Sequence, residues 1–120
     1  LHTLSDVYKE WQTVLIHIPR LSRYTLGAKI DLLFCETLEC ILLAAYSSRE
    51  QKLPHIQCAS AKFDALKFFL QLAWEMKHIS HERYDRLGTA LMSIGKQIGA
   101  WMKPPNTKTP GPPEVSETLL

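Results

Sequence analysis

Glu75-Met76-Lys77-His78 is the stretch of this sequence that comes nearest to a metal-binding pattern, because a glutamate and a histidine three residues apart share one face of a helix. A di-iron bundle needs two such units and two further glutamates projecting into the core. The second unit is missing. His78 and His81 are also three apart, but two imidazoles do not complete the tetrahedral set that zinc takes. Cys35, Cys40 and Cys58 form an odd set with no C-x-x-C spacing. Cys35 and Cys40, five positions apart, point roughly 140° from each other on a helix, too far to bridge, and all three are read as free thiols. No nucleophile elbow, Walker loop, dinucleotide fingerprint or H-E-x-x-H occurs. The expectation is a protein with no catalytic residue, no metal and no cofactor, which acts by binding and assembling.

Composition narrows this further. The chain has 120 residues, room for one compact domain, and a net charge of only +2, so nucleic-acid binding would need the charge to be concentrated locally or by oligomerisation. Unpaired cysteines and the lack of a leader-like pattern lead to the expectation of a reducing, cytoplasmic compartment. The apolar runs fall well short of the ~20 residues a membrane span needs.

The elements that must carry these residues are helical: four segments repeat apolar residues at three-four spacing, and none of useful length alternates as a strand does. The first helix is predicted over 4–17, capped by Ser5, with Val7, Trp11, Val14, Leu15 and Ile18 as its buried stripe. Pro19 stops it, since proline lacks a donor and crowds the preceding turn. After a linker at 20–24, the second helix covers 25–46 and buries Leu26, Ile30, Leu33, Phe34, Ile41 and Ala45. A break at 47–52 precedes the third helix, 54–77, which begins on Pro54 and buries Ile56, Ala59, Phe63, Leu66, Leu70 and Ala73. The fourth opens on Ser80 as cap, with Ile79 and Tyr84 spaced as a hydrophobic staple. Its seam is Tyr84, Leu87, Leu91, Ile94, Ile98 and Trp101. The fold class expected is all-α, an antiparallel up-down four-helix bundle over residues 1–103, with a flexible Pro/Thr-rich tail over 104–120.

Two features exceed what such a bundle needs. On the third helix Ala61, Ala65, Phe68 and Leu72 fall opposite the seam, with Phe69 and Met76 close by. An apolar second side calls for another subunit, or for a central place of this helix in a lopsided monomer. On the fourth helix Gly88, Gly95 and Gly99 lie within about 40° of one another. Each costs about 1 kcal/mol against alanine, and close approach of another backbone, inside the bundle or from a second subunit, is the reason expected. Phe68, Phe69, Leu72, Met76, Gly88, Gly95 and Gly99 are therefore the candidate oligomer interface.

Ile18-Pro19-Arg20-Leu21-Ser22-Arg23-Tyr24-Thr25-Leu26-Gly27, then Leu66 to Leu72 and Ile79-Ser80, then Ile94-Gly95-Lys96-Gln97-Ile98-Gly99-Ala100-Trp101-Met102-Lys103 resemble, in order and spacing, the accessory variability determinant proteins of diversity-generating retroelements. The likeness covers about 4–103. It implies a bundle assembled into a pentameric barrel, a homopentamer that binds the element's reverse transcriptase together with RNA and DNA, and supports mutagenic retrohoming without catalysing a step itself. A looser likeness, to the four-helix proteins encoded by intervening sequences of ribosomal RNA genes, implies instead a structural adaptor that binds a protein partner. Under the first resemblance, contacts to nucleic acid go mainly through backbone phosphates. The candidates are Arg20 and Arg23 in the linker, Lys67 on the third helix, and Arg83, Arg86 and Lys96 on the fourth. The alternative for each is a solvated surface charge. The third helix can carry two basic residues one turn apart in this family; here those positions read Lys67 and Gln71.

Overall fold

The structure is a computed structural model and describes residues 3–102; the tail expected over 104–120 lies outside them. Four long helices, α1 (Leu4–Leu15), α3 (Ala28–Tyr46), α4 (Arg49–Glu75) and α5 (His81–Met102), account for most of the described chain, which contains no strand. A single turn, α2 (Arg20–Ser22), and a π turn (Arg23–Gly27) lead into α3.

Local chemistry sets the helix ends, and several differ from the sequence expectation. Thr3, not Ser5, caps α1: its backbone is extended and its Oγ1 accepts from the Asp6 amide at 3.2 Å, whereas Ser5 is already helical and cannot cap. The α1 helix closes at Leu15, and the His17 and Ile18 amides bond back to Val14 and Leu15 in tighter turns ahead of Pro19. The expected linker at 20–24 is helical instead. Pro19 lies beyond the end of α1 and stands at the N-cap of the next helix, where the Arg23 amide reaches its carbonyl at 3.0 Å. The wider π turn then brings Gly27 against α1: a Cβ there would stand 2.9 Å from Leu15 Cδ1.

The break before α4 shrinks to Ser47 and Ser48, and α4 starts at Arg49, so Pro54 lies inside the helix. It leaves one carbonyl without its usual donor near the N-terminal end, where disruption costs least. The same helix ends at Glu75 in a Schellman arrangement, with the His78 amide on the Ala73 carbonyl and the Lys77 amide on Trp74, both at 2.9 Å. That geometry forces Lys77 to φ 64°, a left-handed conformation usually given to glycine. Ser80 caps α5 as expected, its Oγ accepting from the Arg83 amide at 3.2 Å.

The helices alternate in direction. Glu36 meets Lys62 while Cys40 meets Cys58, so α3 and α4 run antiparallel. Trp74 stacks on Tyr84 while Lys52 lies over Trp101, which makes α4 and α5 antiparallel too. Trp11 and Gln12 of α1 both donate to Asp31 Oδ1 on α3, at 3.2 and 2.7 Å, and Glu10 faces Arg86 on α5. The α1 helix thus fits between α3 and α5, and Trp11 finds the partner a buried indole requires. The core joins all four: Trp11, Phe34, Phe63, Leu66, Leu87 and Ile94 are among its fully buried members. On α4 the buried residues are the six predicted ones; on α3 the buried alanine is Ala44, not Ala45.

Candidate functional site

Three of the candidate cations lie on elements that come together at one end of the bundle. Ser22 Oγ lies 3.0 Å from His78 Nε2, which pins α2 and the π turn to the α4–α5 turn. Arg20 and Arg23, three residues apart, share that end with Arg83, distant from them in sequence, and Lys77 joins them because the Schellman turn exposes it. Among the described residues, Arg20, Lys77 and Arg83 have no carboxylate within ion-pair distance. Arg23 has a structural task as well, since its Nε donates to the Ile18 carbonyl at 3.0 Å. Of the carboxylates near this end, Glu82 is engaged with Arg86 at 3.9 Å and Asp85 with His81 at 3.3 Å, while Glu75 accepts from the Gln71 amide at 3.1 Å and pairs with no cation among the described residues.

The other three candidates are not brought into this group. Arg86 sits one turn farther along α5 and pairs with Glu10 at 3.8 Å as well as Glu82. Lys67 pairs with Asp64 at 3.5 Å and lies over the Phe63 ring, 5.1 Å from its centre. Lys96 is exposed on α5, roughly 20 Å from Arg83 at 1.5 Å per residue.

Lys67 lines a groove of about 630 Å³ between α4 and α5. Phe68 forms one wall and Met92 another, both more than half exposed, and Gly88 leaves the space between them open because nothing lies within 4 Å of where its Cβ would be. Met76, just beyond the end of α4, is 53% exposed. Leu72 is half-buried, and Phe69 turns inward to pack against the core with Lys29 over its ring. The glycine line divides. A Cβ on Gly95 would stand 3.2 Å from Phe63 Cε2, so this glycine serves packing inside the bundle, while Gly99, like Gly88, faces open space. A second exposed apolar row escaped the sequence reading: Leu32, Leu42, Leu43 and Tyr46 on α3. Its signal was the nearly unbroken apolar run from Leu38 to Tyr46, which a single buried face cannot use up.

The metal-like spacing does not converge. Glu75 accepts from Gln71 at 3.1 Å while His78 turns to Ser22, and no three potential metal ligands gather among the described residues. Two groups have altered acidity: Tyr8, which the sequence pattern did not single out, and Cys40. Burial, then hydrogen bonding with Cys35 and Asp31, holds the Tyr8 hydroxyl well above the usual tyrosine range. Burial, with the hydrogen bond to Cys58 next, pushes the Cys40 thiol up to about 12. None of the helices described is long and apolar enough to cross a membrane.

A family model described as bAvd-like matches residues 2–104. No curated protein and no solved structure matches the chain.

Proposed function

The chain belongs to the bAvd-like family, the accessory variability determinants, and on that premise we propose that it is a non-catalytic accessory protein of a diversity-generating retroelement, which binds nucleic acid and the element's reverse transcriptase to support mutagenic retrohoming. The observation that supports nucleic-acid binding most directly is the cationic end formed by Arg20, Arg23, Lys77 and Arg83, of which Arg20, Lys77 and Arg83 have no carboxylate within ion-pair distance among the described residues. Guanidinium and ammonium groups left without carboxylates bind phosphate oxygens and release the counterions condensed on them.

One protomer has too little charge to hold a polyanion tightly, and assembly supplies the remainder. Five copies of a +2 chain pool about ten positive charges on one body. The surface proposed to join protomers is the groove between α4 and α5 with Phe68, Gly88 and Met92, continued by Met76. Exposed apolar side chains of this size lose contact with water only against a partner.

The test is binding of single-stranded RNA and DNA followed by fluorescence anisotropy at 50 and 200 mM salt. Affinity is expected to fall as salt rises, with little sequence preference, and Arg20→Ala with Arg83→Ala should flatten the salt slope by about two. Affinity that does not change with salt would overturn the phosphate reading. Capture of the reverse transcriptase that survives high salt while nucleic-acid binding is absent would favour the adaptor reading, in which the apolar groove receives a protein.

A further inference from the structure

The Sγ atoms of Cys40 on α3 and Cys58 on α4 stand 2.9 Å apart, and both are free thiols. We propose that these two residues form a dithiol site that a low-molecular-weight disulfide oxidises to a covalent crosslink between α3 and α4. The proposal stands apart from the nucleic-acid and assembly readings.

Register carries it. One turn from each cysteine, Glu36 and Lys62 hold an ion pair at 3.3 Å, so the two helices face each other residue for residue over this stretch. A bonded sulfur pair sits at about 2.05 Å, so closure asks for under about 1 Å of sulfur movement. Cys35 has no such facing cysteine.

Accessibility orders the chemistry. Cys58 is exposed and Cys40 is buried, so Cys58 meets the reagent first. Its thiolate attacks one sulfur of R–S–S–R; that bond breaks, a Cys58–S–S–R mixed disulfide forms, and the released RS⁻ takes up the proton lost by Cys58. The Cys40 sulfur, already at contact distance, then attacks Cys58 Sγ and expels the second RS⁻, which takes up the Cys40 proton. Two protein thiols lose two electrons, and the reagent gains them as two molecules of RSH. Burial keeps Cys40 protonated at neutral pH, so initiation falls to Cys58, and the second step, in which Cys40 must give up its proton as it attacks, is the slower of the two despite the contact distance.

The experiment incubates the full chain with oxidised glutathione, denatures it, alkylates with N-ethylmaleimide and measures the intact mass. The reduced chain should take three maleimides, one for each cysteine. The oxidised chain should take a single maleimide and be two hydrogens lighter. Trypsin, which cuts after Arg49 and Lys52 between the two cysteines, should release the peptide that carries both Cys35 and Cys40 joined to the Cys58 peptide, and fragmentation should place the maleimide on Cys35. Cys58→Ser, at an exposed position, should abolish the joined peptide while the circular dichroism of the helices is retained. Three maleimides after oxidation, a lasting glutathione adduct on Cys58, or a joined peptide whose maleimide sits on Cys40 in place of Cys35 would each overturn the proposal.

Discussion

Phe63 distinguishes between glycines that look alike in sequence. Its ring edge leaves 3.2 Å for a Cβ at Gly95 and none of the described atoms approaches Gly99. Gly99→Ala should therefore add about 0.5–1 kcal/mol to the stability of the protomer, measured by urea unfolding. Gly95→Ala should gain less or lose stability because Phe63 must yield; equal gains at both sites would refute that packing role. The acidity of Cys40 makes a second prediction. A thiol with an ordinary value of 9.0 that is pushed up to about 12 keeps its proton in the folded state where the unfolded chain has lost it. Its contribution to stability is complete below pH 9 and declines between pH 9 and 12. Tyr8 shifts in the same direction from 10.0, so its contribution also falls as pH rises above that value. Thermal midpoints should drop over this alkaline window, and Tyr8→Phe should lessen the drop. At this scale the sequence supplied the candidates but not their neighbours: only folding sets Arg86 opposite Glu10 or Cys40 opposite Cys58.

At the scale of the element, helix bodies were more legible than helix ends. Periodicity identifies a buried face because side-chain direction repeats every 3.6 residues, and all six predicted seam residues of α4 are buried. Ends depend on one or two backbone angles, and there Ser5, Pro54 and the segment 20–24 misled. Lys77 offers a direct check. Glycine adopts its left-handed backbone without the Cβ penalty, so Lys77→Gly should stabilise the chain by about 1 kcal/mol. Ser80→Ala should cost about as much by removing the cap from the Arg83 amide. Paired denaturation curves test both, and opposite signs are required.

For the whole molecule, shape decides what is left uncovered. At 1.5 Å per residue, the 12-residue α1 spans about 18 Å and the 27-residue α4 about 40 Å. The shorter helix ends before the α3–α4 turn, and Leu42, Leu43, Tyr46 and Leu53 are exposed around that end. Together with Phe68, Met76 and Met92, they give the protomer more apolar surface than it covers by itself. Phe68→Glu alters a residue 61% exposed, so the protomer should still fold while the assembly dissociates. Native mass spectrometry would read this as a shift toward the 13.7 kDa protomer; a wild-type chain already at that mass would refute the assembly proposal.

The sequence by itself determined that the chain is helical, most of the residues that fill the core, that the third long helix has apolar residues on two sides, and which family the chain resembles. Each of these follows from local periodicity or from residues adjacent in the chain. Only the tertiary structure decided which cations share an end, which glycine packs against Phe63 and which is open, and which cysteines face each other. Those outcomes depend on the register between helices, and register is set by how ridges of side chains interlock across the whole core, a property no single segment carries.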